Sequence, residues 1–138
     1  MHKLQSVHLG FEEPVLSDIN LELTPGHLAL LTGATGSGKS TLLALLAGLM
    51  PTYIGGRVSG QINNGAQTFA LVQQSPAESF VADQVELEIC FGLEQLSREQ
   101  QRLRLESVIE AVDIAHLRHR QLHTLSSGEA QRVAIAAA

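Results

Sequence analysis

The sequence has no tryptophan, one cysteine and only 4% aromatic residues. A single cysteine, Cys90, excludes an internal disulfide and favours a cytosolic protein. Long apolar runs are also missing, because the longest, from Leu42 to Met50, is far shorter than the ~20 residues that cross a bilayer. The N-terminal segment MHKLQSVHLG has neither an apolar core nor a small-residue cleavage site, so we expect no signal peptide.

Positive charge is scarce, with nine basic against fourteen acidic residues and a net charge of −5. This balance is a poor match to a nucleic-acid backbone, and we expect no nucleic-acid partner. Hydrophobic residues make up 44% of the 138 residues, which excludes a disordered tail and predicts one domain with a sizeable core. The final segment, RVAIAAA, has high helix propensity and no stop signal, so we expect the chain to be cut short.

The first half of the chain has the pattern of short strands around a glycine-rich loop. The run HLALLT (27–32) is nearly continuous in apolar residues and is typical of a strand buried on both faces. Asn64-Gly65 predicts a hairpin turn, and Pro51 predicts a helix end. In chain order we predict strands at 4–9, 19–23 and 27–32, a helix over about 39–49, and paired strands at 57–62 and 67–72.

After Pro76 the pattern becomes helical. Asp83-x-x-Glu86 and Ser97-x-x-Gln100 both fit a helix N-cap with a partner at the third helical position. A last helix is predicted to begin near Ser127. The helix after Ser97 has one apolar stripe at helical spacing, formed by Leu105, Val108, Ile109 and Val112.

The segment GATGSGKS matches G-x-x-x-x-G-K-S and lies between a predicted strand and a predicted helix. Glycines let the backbone curl so that several N–H groups point at an anion, next to the positive end of the helix dipole. Lys39 adds a mobile charge for the outer phosphates, and the Ser40 hydroxyl can ligate Mg²⁺. The motif predicts nucleoside triphosphate binding, without distinguishing kinases, GTPases, helicases and transporter motors.

Further segments resemble those of ATP-binding-cassette (ABC) ATPases. LSSGEAQRVAIAAA (125–138) resembles the signature sequence LSGGQ with its following QR, and LVQQSP (71–76) resembles the Q-loop. FGLEQLSREQ and GLMPTYIGGRVSGQI are similar to the ATPases of energy-coupling-factor importers, which take up vitamins and metal ions. The resemblance covers the whole chain and implies an α/β fold: a P-loop NTPase core with N-terminal β-strands and an inserted α-helical subdomain, truncated at the C-terminus.

This resemblance implies roles for individual residues. Ser40 and Gln74 would reach Mg²⁺, and Gln74 would report the nucleotide state to a membrane partner. Phe11 would stack on the adenine, where the family prefers tyrosine. The triphosphate of ATP would be wrapped by Gly33, Ala34, Thr35, Gly36, Ser37, Gly38, Lys39, Ser40 and Thr41.

The resemblance also makes each ATP site composite across a head-to-tail dimer. Ser126, Ser127, Gly128 and Glu129 would contact the γ-phosphate of ATP bound to a second ATPase subunit, identical or paralogous. Two positions depart from the family pattern, Ser127 for a glycine and Glu129 for a glutamine. Ser126-x-x-Glu129 also fits a capping box. We expect the segment to be both a helix cap and a phosphate contact, and to suit the weaker site of an asymmetric pair.

The implied organisation is a nucleotide-binding core (1–74), a helical subdomain (75–125) and a signature helix (126–138). The helical subdomain would contact a membrane-embedded transport subunit from the cytoplasmic side of the cell membrane. The family's Walker B aspartate and glutamate and its switch histidine would follow residue 138. We therefore expect no significant hydrolysis, and at best weak ATP binding, from these 138 residues alone.

The residues leave two other functions open. The chain could be a different phosphate-loop enzyme, such as a small-molecule kinase, or a non-catalytic interaction fragment. A metal site at His116, His119 and His123 is disfavoured, because Arg118 and Arg120 between them would repel a cation. A solvated basic face is the simpler interpretation of this stretch. Cys90 is expected to be a small core residue and not a nucleophile.

Overall fold

The computed structural model describes residues 2–63 and 69–138. The chain forms two compact units, one that ends at Leu71 and one from Val72 to Ala138. In the described residues, the first unit combines a three-stranded sheet with one α-helix, and the second contains three α-helices and three short 3₁₀ turns. Each unit has its own hydrophobic core.

The sheet of the first unit is antiparallel. Its central strand, β1 (His2–Gly10), pairs with β2 (Pro14–Leu23) on one side and with β3 (Arg57–Asn63) on the other. The strands predicted at 4–9, 19–23 and 57–62 are therefore confirmed. The register shifts beside Ser6, whose φ is 45°, and a Cβ on Gly60 would lie 2.4 Å from the Ser6 carbonyl oxygen. Only glycine fits opposite this bulge.

Helix α1 (Lys39–Leu46) follows the glycine-rich loop and ends earlier than predicted. Gly48 has a φ of 73°, and the N–H groups of Gly48 and Leu49 donate to carbonyls of the last turn at 2.9 Å. This pair of bonds is a Schellman motif, which requires a residue that tolerates a left-handed conformation. Gly48, and not Pro51, therefore ends the helix.

Helix α1 packs its apolar side chains against β1. Burial of each large aliphatic side chain contributes about 1.5–3 kcal/mol before entropy is subtracted, so this contact fixes the helix start relative to the sheet. The buried residues of this core are Leu4, Val7, Leu9, Leu42, Ala44, Leu45, Leu46 and Met50.

One predicted strand, and the described part of another, are not found. Residues 27–32 form no strand, and Leu28 and Leu30 are 101% and 87% exposed, so the expectation of a strand buried on both faces is wrong for this structure. Residues 69–72 form no strand either, and within the described residues β3 pairs with β1. The Asn64-Gly65 turn lies outside the described residues. A strand exists only when another strand pairs with it, and an apolar run cannot specify that partner.

The second unit contains α2 (Val85–Phe91), α3 (Arg98–Ala111) and α4 (Ser127–Ala137). The 3₁₀ turn Pro76–Glu78 precedes α2, and the turns Ala115–Leu117 and Leu122–Thr124 lie between α3 and α4. Its buried core residues are Val85, Ile89, Leu105, Ile109, Ile114, Leu117, Leu122 and Val133. None of the helices in residues 2–63 and 69–138 has the length and hydrophobicity to cross a membrane.

The predicted helix starts have mixed outcomes. The capping box of α3 is present, because Ser97 and Gln100 each bond the other's backbone N–H group. The predicted cap at Asp83 is wrong, since α2 begins at Val85 and no side chain caps it. The side chain of Glu86, the expected partner, instead accepts hydrogen bonds from an arginine of the same unit.

The apolar stripe of α3 and the packing of Cys90 on the core are confirmed. Leu105 and Ile109 are buried, and Val108 and Val112 are half-buried against the same core. Cys90 also packs on this core, and burial raises the pKa of its thiol, which disfavours the reactive thiolate.

Candidate nucleotide-binding site

The glycine-rich loop is held tightly at its C-terminal end. Gly38 is the N-cap of α1, with a φ of 81°, and a Cβ there would lie 2.8 Å from Cγ of Leu16 and 2.9 Å from Cγ1 of Val15. Gly36 has the same φ, but a Cβ on Gly36 would meet no heavy atom within 4 Å, so space is free around it. The loop is therefore anchored on β2 at Gly38 and open at Gly36.

The N-terminus of α1 is open to an anion. No side chain caps it, and its first turn has no acidic residue. The first backbone N–H groups of a helix have no partner within the helix, and the helix dipole gives this end a partial positive charge. Residues 33–37 and Ser40 are exposed. The arrangement can accept an anionic group such as a phosphate.

Lys39 lies across this loop. Its Nζ donates hydrogen bonds to the carbonyl oxygens of Gly33 and Ala34, both at 2.9 Å. The ammonium group is thereby kept beside the loop in which an anion would be bound. It needs only side-chain rotation to reach a phosphate, because the Lys stem is flexible and its charge is compact.

Phe11 lies in the turn between β1 and β2 and is 44% exposed. It lines a cleft of about 310 Å³ with Gly10, Arg57 and Val58 among its neighbours. A Cβ on Gly56 would lie 3.4 Å from the Phe11 ring, so the ring rests on backbone at that point. The exposed part of the ring is available for stacking, and its use by adenine stays a prediction.

The predicted Mg²⁺ ligands are both exposed polar side chains. Ser40 lies in the first turn of α1, and Gln74 lies in the second unit, just after Val72. Hydroxyl and amide oxygens are hard donors that suit Mg²⁺, which usually keeps several waters and takes few protein ligands. The donor set therefore fits Mg²⁺, and joint coordination by Ser40 and Gln74 stays a prediction.

Helix α4 begins with the second predicted contact segment. Ser126 is its N-cap, and the backbone N–H and the hydroxyl of Ser126 both donate to Oε2 of Glu129 at 2.7 Å. The Glu129 N–H donates to Oγ of Ser126 at 3.4 Å, which completes the capping box. The predicted cap is thus confirmed, whereas phosphate contact by Ser126–Glu129 stays a prediction.

The capping box leaves the helix start accessible. Ser127 and Gly128 are exposed, and a Cβ on Gly128 would meet no heavy atom within 4 Å. Hydrogen bonds from the Ser126 backbone and hydroxyl lower the pKa of Glu129, with a smaller contribution from the nearby charge of Arg120. Glu129 is therefore ionised at neutral pH, beside a helix start that is open to solvent.

Sequence reasoning missed the partners of the two arginines. Arg118 binds Glu86 and Glu106, with closest N–O distances of 2.8 and 2.7 Å, and Arg120 binds Glu129 at 3.1 Å. Arg120 and the histidines of this stretch are exposed, as a solvated face predicts, but both arginines are paired with carboxylates. Glu86 and Arg118 are far apart in sequence, and no local pattern indicates their pairing.

The histidines of the same stretch do not gather around a common point. His119 Nδ1 lies 3.3 Å from Oε2 of Glu86, a contact that is ionic only when the histidine is protonated. Across residues 2–63 and 69–138, no group of three or more His, Cys, Asp or Glu side chains is placed to hold a metal ion.

A phosphate loop followed by the uncapped start of α1 is the arrangement that P-loop nucleotide-binding proteins use to hold phosphates. The sequence model of the ABC transporter family matches residues 16–138. The chain belongs to the ABC transporter family, and its mixed helix and strand fold matches ABC ATPase structures.

The relatives include a putative ABC transporter ATP-binding protein of Streptomyces avermitilis, 35% identical over 91% of this chain and 25% of that protein. A putative HMP/thiamine import ATP-binding protein of Bacillus subtilis, YkoD, is 36% identical over 91% of this chain and 26% of that protein. The chain therefore spans about a quarter of the length of these curated relatives.

Among solved structures, cbiO1 of Clostridium perfringens, part of the ABC transporter complex cbiONQ, superimposes with a TM-score of 0.81. The two chains are 25% identical, and the match covers 99% of this chain and 59% of cbiO1. The fold of this chain is thus shared with part of a known ABC transporter subunit.

Proposed function

We propose that this chain supplies the ATP-binding part of an ABC importer subunit. That subunit couples ATP binding and hydrolysis to uptake of a small solute, a vitamin or a metal ion. The observation that carries the proposal is the loop at α1, where Lys39 lies across an exposed, uncapped helix start. The likeness to cbiO1 and to YkoD supports an importer of the energy-coupling-factor type.

In this proposal the backbone N–H groups of residues 33–41 bind the triphosphate and Lys39 moves from the loop carbonyls to the outer phosphates. Ser40 and Gln74 would hold Mg²⁺, which would neutralise charge on the phosphates. Phe11 stacks on the adenine in the cleft beside β1. The nucleotide core is 1–74, the helical subdomain is 75–125 and the signature helix is 126–138.

The partners follow from the same proposal. A second ATPase subunit, identical or paralogous, binds its own ATP. The Ser126–Glu129 segment of this chain contacts the γ-phosphate of that ATP, so that closure of the dimer completes each site. Residues 75–125 contact a membrane-embedded transport subunit at the cytoplasmic face of the membrane. In this family, hydrolysis also uses the Walker B carboxylates and a switch histidine, which follow the signature helix.

The proposal is tested by ATP binding with Mg²⁺, measured as a thermal shift and by equilibrium binding in the complete gene product. Lys39→Ala should abolish most of the ATP-dependent shift, whereas Arg102→Ala, which removes an exposed charge from α3, should leave it unchanged. Absence of any ATP-dependent shift in the wild-type protein would contradict the proposal and favour a non-catalytic interaction fragment. If the protein has kinase activity and Ser126→Ala leaves that activity unchanged, the small-molecule kinase alternative is favoured.

A further inference from the structure

The start of α4 carries a carboxylate where an anionic ligand is proposed to bind. Glu129 is in the first turn of the helix, and its side chain is 19% exposed. One oxygen, Oε2, accepts both hydrogen bonds from Ser126, at 2.7 Å each. The carboxylate is therefore fixed close to the helix start and cannot rotate away without losing the cap.

The other oxygen of the same carboxylate has a different partner. Oε1 of Glu129 accepts a hydrogen bond from Nη1 of Arg120 at 3.1 Å, and Nη2 of Arg120 donates to the Thr124 carbonyl oxygen at 3.0 Å. The guanidinium thus bridges the Glu129 side chain and the backbone just before Ser126. The planar guanidinium of Arg120 can make both hydrogen bonds at once, whereas a lysine ammonium would satisfy this pair of acceptors less well.

Charge decides what this contact can do. An ionised carboxylate fixed near a phosphate repels it, and the repulsion is strong where water is excluded. The Arg120 guanidinium, 3.1 Å from the Glu129 carboxylate, cancels most of the repulsion that the carboxylate would exert on a phosphate. The helix dipole then still attracts the phosphate. The dipole alone provides only about half an elementary charge at the helix end, too little to offset a full negative charge.

We propose that Arg120 is a positioning residue for the signature helix: by holding and neutralising Glu129, it lets the start of α4 accept the phosphate of a nucleotide bound to the partner subunit. The proposal rests on the function proposed above for Ser126–Glu129. It explains how a chain with glutamate at this position keeps a helix start that an anion can approach. Arg120 acts through Glu129 and does not itself touch the nucleotide.

The test is ATP-dependent dimerisation of the complete gene product, measured by analytical ultracentrifugation with Mg²⁺ and a non-hydrolysable ATP analogue. Arg120→Gln should weaken this association about fivefold at low salt, and less at high salt, because the repulsion is screened. Arg120→Lys, which keeps the charge but not the planar guanidinium, should keep most of the affinity. Arg120→Gln combined with Glu129→Gln should restore the association to that of Glu129→Gln alone.

The outcomes separate this inference from the proposed function. If wild-type protein does not dimerise with the analogue, or if Lys39→Ala dimerises equally well, the proposed function and this inference both fail. If the wild type dimerises and Arg120→Gln matches it, only the inference fails. If Arg120→Gln weakens dimerisation equally in the wild-type and the Glu129→Gln backgrounds, the inference also fails. That result assigns Arg120 a purely structural role. Thermal unfolding of each variant checks that α4 is still folded.

Discussion

The guanidinium of Arg118 binds both carboxylate oxygens of Glu86, with Nε 2.9 Å from Oε2 and Nη2 2.8 Å from Oε1. The remaining Nη1 donates to Glu106 at 2.7 Å. One arginine thus ties α2 to α3 and to the turn after Leu117. These hydrogen bonds raise the pKa of Arg118 and lower that of Glu86.

The first prediction concerns this arginine. Arg118→Gln should lower the Tm by several degrees, because it leaves the partly buried Glu86 carboxylate without its paired donor. Glu106→Gln is the matched control, since Glu106 is the more exposed partner and should cost less. Differential scanning calorimetry measures both. A larger loss from Glu106→Gln than from Arg118→Gln would contradict the assignment.

The second prediction concerns pH. The hydrogen bonds from Arg118 lower the pKa of Glu86 below its ordinary value of 4.5 in the folded protein. The resulting stabilisation is therefore fully present above about pH 4.5 and is lost as the pH falls through the lowered pKa. Urea unfolding from pH 7 to pH 3 should show this loss in the wild type. Glu86→Gln should be less stable at pH 7 and show a shallower decline, and an unchanged decline would refute the linkage to Glu86.

The third prediction compares two loop glycines with the same φ of 81°. Gly36→Ala adds backbone strain alone, about 1–2 kcal/mol, because its surroundings are open. Gly38→Ala adds the same strain and a clash with Val15 and Leu16, so it should cost about 1–3 kcal/mol more. Native-state hydrogen exchange of α1 amides measures the difference. Equal costs would show that the loop does not pack on β2 as described.

The fourth prediction is a stabilising change. Asp113 follows α3 with a φ of 54°, and the N–H groups of Asp113 and Ile114 donate to Glu110 and Ile109 in a Schellman motif. Asp113→Gly should raise the free energy of unfolding by about 0.5–1 kcal/mol, because glycine adopts this conformation without steric cost. Asp113→Ala should not, since alanine keeps the Cβ. Urea unfolding compares the two, and equal stability would argue against a left-handed conformation there.

Much of the candidate site was predictable because its signals are local. The loop at 33–41 combines glycines, Lys39 and Ser40 in consecutive positions, and the boxes at Ser97 and Ser126 each span one helical turn. Backbone hydrogen bonding over three or four residues depends on the residues themselves and little on the rest of the chain. The end of α1 at Gly48 has a local signal of the same kind, which the nearby Pro51 obscured.

Other features could not be predicted because they depend on residues far apart in sequence. The apolar character of 27–32 indicates burial but not a partner strand, and in this structure Leu28 and Leu30 are exposed. Within the described residues, the partner of β3 is β1, which lies far from it in sequence. Strand pairing is decided by which backbones meet in three dimensions, and many registers satisfy the same hydrophobic pattern.

The order of residues alone specifies the phosphate loop, the helix that follows it and the caps of α3 and α4, since each is set by neighbours within a few residues. The folded chain was needed to show that Arg118 binds Glu86, that Arg120 binds Glu129 and that Gly38 packs on β2. A charge in the sequence has many possible partners. Packing within each unit brings one of them within hydrogen-bond distance and excludes the others.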